Sequence, residues 1–556
     1  MIMRPLFTPS AVSAALLLTC TLGLSACNND STTVEVSLGD PVATGDTIAL
    51  TDLGVLISFN RTAPQTVISV KGVLGLRPND VLIGIDYRPA DGKLYGVGKL
   101  GNIYVLDPST GGATFKVALS ALSTDTTLPY SGITGDAQQM ALDFNPVADR
   151  LRVIGNDGQN LRINVDTGEV TTDTPISAPT TASVTGAAYS NSLAGTGTTA
   201  LYDIDVAQNR LYIQSPPNDG TLLSANVASL GVNADGTSGF DIDPLTNKGY
   251  AVLQVDGVSM FYGIDLSSIG TTNNAATKIG ALPTNAKNIR GIALKPITAT
   301  VYGLTANNQL TSFSATAPNS ISALMPITGL LATETVIGMD VRVNTSVTGK
   351  AGLLYGLTNL GNLYTINPST GVASRLLTLQ TPLQGTAFGV DFNPVADRLR
   401  VVSHTGQNLR IDVDTGTVTT DSNINLTGST PSISAIAYAN SFLGATTTTG
   451  TTLYDLDSSS NNLYSQTPPN DGTLALKGST NITVGTQTGF DIAGGENGLA
   501  LATTAQATGP STLYVVDLKT GAATPAAKLN GTASAAASMI GSGATPALID
   551  VAIVTR

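Results

Sequence analysis

The chain has 556 residues, only 12% of them charged, with 58 Gly, 27 Pro, no Trp and a formal net charge of −12. That length exceeds what a single core needs. The acidity argues against nucleic acid as a partner and against attraction of the protein body to anionic lipid. A composition rich in Thr, Ser, Gly, Val and Leu argues against long amphipathic helices and for short strands joined by tight turns.

An export signal peptide is expected over residues 1–26. Arg4 gives a short positive region, and Ala11 to Leu24 an apolar stretch too short to span a bilayer. Leu24-Ser25-Ala26-Cys27 resembles the lipobox of bacterial lipoproteins, which predicts cleavage before Cys27 and acylation of its thiol. Cys20 leaves with the signal, so the mature body has no disulfide and stands on packing and ring closure. Residues 27–47 read as a lipid-anchored flexible linker. The expected address is the cell envelope, at the outer membrane of a double-membraned cell given Asn28, with membrane contact through the lipid anchor only.

Beyond the linker the chain repeats itself. Asp143-Phe-Asn-Pro-Val-Ala-Asp149-Arg-Leu-Arg152 recurs from Asp391 to Arg400, Gly158-Gln-Asn-Leu-Arg-Ile163 from Gly406 to Ile411, and Pro216-Pro-Asn-Asp-Gly220 from Pro468 to Gly472. A unit of roughly 250 residues is duplicated, over 48–297 and 298–556. A weaker period of about 40 residues lies inside each copy, as in Gly84-Ile-Asp86, Leu94-Tyr-Gly96, Asn102-Ile-Tyr104 and Asp107-Pro-Ser-Thr-Gly111. Four short strands per period predict a propeller blade, and blades bury their faces only by packing around an axis.

The chain ends bear on closure. Ala49 to Pro64 aligns without a gap with Gly303 to Pro318. The strand Ile289-Arg-Gly-Ile-Ala-Leu294 precedes the second block, nothing comparable precedes the first, and a matching strand stands at Leu548 to Val554. The first blade therefore lacks an inner strand of its own, and the last residues can provide it. About ten four-stranded blades result, as two five-bladed rings or one ten-bladed ring.

Gly84-Ile-Asp-Tyr-Arg-Pro89, the Asp143 to Arg162 block, Ala187-Ala-Tyr-Ser-Asn191 and Pro216 to Gly220 resemble domain-of-unknown-function family 4394, over about 48–295 and again 301–554. The resemblance implies no activity. It does imply that one copy is a complete unit, so two tandem five-bladed propellers are the expected all-β fold, with one ten-bladed ring as the alternative. The second copy departs at Asp340-Val-Arg342, where an insertion to Lys350 replaces a short turn.

Little catalytic chemistry is available. His404 is the only histidine, so neither a His-rich metal site nor a Ser-His-Asp triad can occur in both copies. The densest polar feature is the hairpin carrying Arg152, Gln159, Asn160 and Arg162, repeated as Arg400, Gln407, Asn408 and Arg410. Arg150 and Arg152 share one strand face and Arg162 could lie across from Arg152, a row of guanidinium groups suited to a carboxylate or sulfate. The structural alternative is an inter-blade ion-pair network with Asp143, Asp149 and Asp166. Asp203, Asp205, Asp455 and Asp457 are weak candidates for metal ligation, with calcium as the candidate cofactor, against the alternative of turns capping their own backbone. The Pro-Pro-Asn-Asp-Gly turns could present Asn218 and Asp219, and equally Asn470 and Asp471, to a ligand, joined by Asn191 and Asn440 if the loops share a face.

Three function classes follow. The first is a non-catalytic surface binding or scaffold module for a glycan or an envelope protein. The second is an extracellular polysaccharide hydrolase or lyase using carboxylates such as Glu169, Asp173 and Asp219. The third is a calcium-stabilised structural protein of the envelope.

Overall fold

The computed structural model describes residues 40–555 except 178–181, 236–237, 283–287, 496–497, 506–508, 530–531 and 544. The expected signal peptide, Cys27 and most of the linker lie outside the described residues. Ten antiparallel blades account for nearly all the strands. Blade 1 orders Ile289–Leu294, Thr47–Thr51, Val55–Asn60 and Ala63–Gly72 from the inside outwards. Blades 2 to 5 begin with inner strands Leu82–Tyr87, Met140–Asn145, Val184–Tyr189 and Ser238–Ile242. Blade 6 is Leu548–Thr555, Ala299–Thr305, Gln309–Phe313 and Met325–Pro326. Blades 7 to 10 begin with Val336–Arg342, Phe388–Asn393, Ile433–Tyr438 and Thr488–Ala493.

Inner strands neighbour one another in two closed cycles, blades 1 to 5 and blades 6 to 10. The chain is therefore two five-bladed propellers, each closed by its own last strand. The expected fold of two rings is borne out, and the last residues of the chain close the second ring and do not supply the first blade. Thr47–Thr51 takes its inner neighbour from Ile289–Leu294, with Ala49 opposite Ile292, while Leu548–Thr555 pairs with Ala299–Thr305, with Gly303 opposite Val551. The physical reason is that five inner strands already complete a ring, so each copy satisfies its open edge locally.

The core is divided among the blade interfaces. One apolar cluster joins blades 2 and 3 through Val97, Phe144 and Val153, and another joins blades 4 and 5 through Ile204, Leu211, Phe240 and Leu253. Corresponding clusters bridge the remaining neighbours around both rings. The inner-strand Gly-x-Asp pattern has two causes. A Cβ on Gly239 would stand 2.7 Å from the backbone nitrogen of Ile292, and one on Gly389 2.6 Å from that of Ile436, so glycine lets adjacent inner strands approach. The aspartate then reaches across: Asp86 accepts the Phe144 N–H of the next blade at 2.7 Å, and Asp340 accepts that of Phe392 at 2.7 Å.

The two rings also touch. Leu193, on a loop of blade 4, is fully buried within the apolar cluster of blades 6 and 10, beside Phe313, Leu501 and Leu513. No helix among the described residues is long and apolar enough to cross a membrane.

Candidate functional site

The repeated hairpin places Arg152 opposite Arg162 and Arg400 opposite Arg410, as strand alternation allows. Both Arg152 and Arg400 are 1% exposed. Arg152 donates to Tyr189 Oη at 3.3 Å, Asn160 Oδ1 at 2.7 Å, Asp173 Oδ2 at 2.6 Å and Asn218 Oδ1 at 2.8 Å. Arg162 donates twice more to Asp173, at 2.6 and 2.8 Å. Arg400 repeats this with Tyr438, Asn408, Asp421 and Asn470, and Arg410 with Asp421. The structure thus brings Arg152, Asn160, Arg162 and Asn218 together between blades 3 and 4, and Arg400, Asn408, Arg410 and Asn470 between blades 8 and 9. The acids differ from those expected. Asp149 and Asp166 instead hold Arg88 of blade 2, at 2.6 and 2.7 Å, and Arg88 keeps the Asp166 carboxyl down at about 2. Arg342 makes the same clamp with Asp397 and Asp414 despite the longer loop that follows it. Asp143 accepts the Tyr189 N–H at 3.0 Å.

The other candidates lie apart from these arginines. Gln159 is tied to the preceding loop through Thr134 N and Gly132 O, and Gln407 through Gln384 N and Pro382 O. In each Pro-Pro-Asn-Asp-Gly turn a single 3₁₀ turn ends on a glycine with positive φ, 63° at Gly220 and 65° at Gly472. Asp219 and Asp471 are exposed there. Among the carboxylates considered for polysaccharide cleavage, Asp173 is buried and held by two guanidinium groups, while Glu169 and Asp219 are exposed.

The Asp-rich strands separate into two roles. Asp205 accepts the N–H groups of Ser183 and Ala207, and Asp457 those of Ser432 and Ser459, so both cap turns. Asp203 and Asp455 are 0% exposed, and among the described residues neither oxygen of either carboxyl has a hydrogen-bond partner. Burial pushes Asp203 up to about 8 and Asp455 well above the usual carboxylate range. This environment favours the neutral form of both carboxyls.

A feature that sequence reasoning missed lies on the ring axes. Asp86, Asp143 and Asp241 each bring one oxygen to within 4.8 Å of the others, and Asp340, Asp391 and Asp491 do the same in the second ring. All six are buried. Burial and mutual repulsion push Asp86, Asp143, Asp340 and Asp391 well up. Burial pushes Asp241 to about 7 and Asp491 to about 6. Three carboxylates so close cannot all ionise without a cation, so each cluster holds protons or could hold a metal ion. An all-oxygen donor set suits a hard cation such as calcium, whose oxygens stand about 2.4 Å from the ion and so about 4.8 Å apart across it. The available signal was positional: the aspartates occupy one inner-strand position in blades 2, 3 and 5, and again in blades 7, 8 and 10.

A groove of about 1090 Å³ lies between the rings. Asn191, Tyr202 and Lys248 line it from the first ring, and Asn440, Phe442 and Lys519 from the second. The equivalent asparagines of the two copies therefore meet in one place. Asn191 is clasped by Asn247 at 2.6 Å and by the Thr198 carbonyl at 3.1 Å. Asn440 donates to Thr449 O and Gly450 O. The wall mixes amides, hydroxyls, two aromatic rings and both signs of charge.

Among solved structures, the Dos1 propeller shares 13% identity, with 65% of this chain and 90% of that one covered and a TM-score of 0.24. A nidogen/laminin complex shares 15%, covering 58% and 89%, with a TM-score of 0.23. A structural-genomics protein of unknown function from Bacteroides thetaiotaomicron shares 13%, covering 55% and 80%, with a TM-score of 0.28. The fold assignment rests on the strand pairing above and not on these likenesses. No curated protein matches the chain significantly. The model of the domain of unknown function DUF4394 matches residues 55–293 and again 309–538. The chain belongs to the DUF4394 family, as two tandem copies.

Proposed function

We propose that the protein is a non-catalytic binding module of the bacterial cell envelope, tethered through acylated Cys27, whose ligand is a carbohydrate chain lying between the two rings. The observation that carries this reading is the groove of about 1090 Å³, which neither copy forms alone and which Asn191 and Asn440 both line. Amides and hydroxyls match sugar hydroxyls, and the partly exposed ring of Tyr202 offers a face to sugar C–H groups. The tether places such a site outside the cytoplasm, at the outer membrane in a double-membraned cell. The net charge of −12 favours a neutral glycan or envelope protein over nucleic acid.

The test is a thermal-shift screen of soluble residues 28–556 against neutral oligosaccharides, with product analysis on every hit. A ligand that binds only the native state raises the melting midpoint. Stabilisation without turnover supports a binding module. Turnover moves the assignment to a hydrolase or lyase, and the absence of any glycan hit removes the carbohydrate reading.

A second reading is a calcium-stabilised envelope scaffold. It is favoured by the two axial aspartate clusters, which supply the oxygen donors such an ion takes.

A further inference from the structure

A cavity of about 130 Å³ opens between blades 8 and 9, lined by Arg398, Arg400, Arg410, Tyr438, Pro469 and Asn470, with Asn393 and Ala396 at its rim. Three guanidinium groups border it and no carboxylate does. The acids that pair with them are Asp412 and Asp421, which are not part of the lining. Asp421 is shared by Arg400 and Arg410, so one negative charge serves two positive ones. Arg410 uses only Nε and Nη2 on Asp421, and its Nη1 makes no hydrogen bond among the described residues. Its side chain remains 34% exposed, and that of Arg398 40%.

The first copy repeats this set without a change: Asn145, Ala148, Arg150, Arg152, Arg162, Tyr189, Pro217 and Asn218 stand at the eight matching positions. Packing explains the identity of Arg152 with Arg400, which are buried. Arg162 and Arg410 also hold the buried Asp173 and Asp421 through Nε and Nη2, and among the described residues the Nη1 edge of each is left without a hydrogen bond. The charge is also more positive in the first copy, because Asn164 stands where the second has Asp412.

We propose that the cavity between blades 8 and 9 binds a sulfate or carboxylate group, held by the Nη1 group of Arg410 with the charge of Arg398 and the amide of Asn470 beside it. Guanidinium forks match such oxyanions bidentately. The volume admits one such group with the first atoms of whatever carries it, and the acidic chain as a whole offers no general attraction for anions. The matching residues between blades 3 and 4 would hold a second copy of the group. This site is separate from the groove between the rings and does not depend on it.

The test is isothermal titration of soluble residues 28–556 with sodium sulfate, a sulfated oligosaccharide and its unsulfated counterpart. Arg410→Gln is expected to weaken sulfate and the sulfated oligosaccharide about 10- to 100-fold at this site, the loss of one or two charge-assisted hydrogen bonds. Arg410→Lys, which keeps the charge, is expected to recover part of that affinity. A single cooperative melting transition, even at a lowered midpoint, shows that each variant folds. A sulfated oligosaccharide that binds more tightly than sulfate identifies a glycan-borne group, and equal affinity identifies a free anion. Absence of binding by either anion, or binding that Arg410→Gln leaves unchanged, overturns the proposal. Loss of neutral-glycan binding with anion binding intact would strike the groove alone.

Discussion

Replacing Arg152 by methionine keeps the length of the side chain and removes the guanidinium that joins blades 3 and 4. Asn160 Oδ1, Asn218 Oδ1 and Tyr189 Oη lose their donor, at 2.7, 2.8 and 3.3 Å. Asp173 loses one bond of 2.6 Å but keeps Arg162, so its charge is not left alone in the interior. Breaking a buried pair costs about 3–5 kcal/mol, and the surviving partner sets the expectation at about 3 kcal/mol. For a ring of this size, each kcal/mol moves the midpoint by about 2–4 °C, giving a loss of about 6–12 °C. Each ring closes on its own strand, so the loss should fall mainly on the ring that carries the change. Hydrogen exchange by mass spectrometry at intermediate urea reads this directly. Arg152→Met should speed exchange in peptides of blades 1 to 5, and Arg400→Met in those of blades 6 to 10. A loss below about 1 kcal/mol, the range of an exposed pair, would refute the reasoning. So would equal acceleration in both rings.

Further outcomes follow from other parts of the molecule. In a chain without Cys27, Ala49→Cys with Ile292→Cys should oxidise to an intramolecular disulfide, and Ala49→Cys with Val551→Cys should not; the reverse would mean a single ten-bladed ring. The Asp203 carboxyl is raised to about 8, so its contribution is complete below its unfolded value of about 3.9 and is lost as pH rises through about 8. The melting midpoint should fall between about pH 5 and about pH 9, and Asp203→Asn with Asp455→Asn should flatten that fall, which a pH series of thermal melts checks. Calcium should raise the midpoint and a chelator reverse the rise, with about 2.7 kcal/mol gained at a hundredfold excess over Kd. Asp86→Asn with Asp143→Asn should abolish the gain in the first ring, and a midpoint unmoved by calcium would remove the metal reading of the axial clusters.

Sequence pattern made the blades, the duplication and the Arg152–Arg162 pairing legible, because strand alternation and turn spacing are local. The closure was legible only as a choice between two rings and one. Both copies begin on the second strand of a blade, and the two strands able to complete it, at 289–294 and 548–555, look alike in sequence. What selects between them is that five inner strands complete a ring, a property of the assembled circle. The acid for Arg152 was misplaced for a related reason. Asp173 lies beyond the last strand of its blade and returns to the hairpin only through the folded chain. Asp86, Asp143 and Asp241 were visible as strand ends but stand far apart in sequence, and only the axis brings them together. Asn191 and Asn440 were visible one by one, and their meeting depends on Leu193 seating in the second ring, which no periodicity encodes.

The most direct test of a ligand between the rings narrows the groove from each wall in turn. Thr277 and Thr448 are exposed and line opposite sides of it. Thr277→Trp and Thr448→Trp should each leave the melting midpoint of the free protein unchanged while abolishing the stabilisation by the strongest neutral oligosaccharide from the screen. Undiminished stabilisation in both variants would contradict binding in the groove.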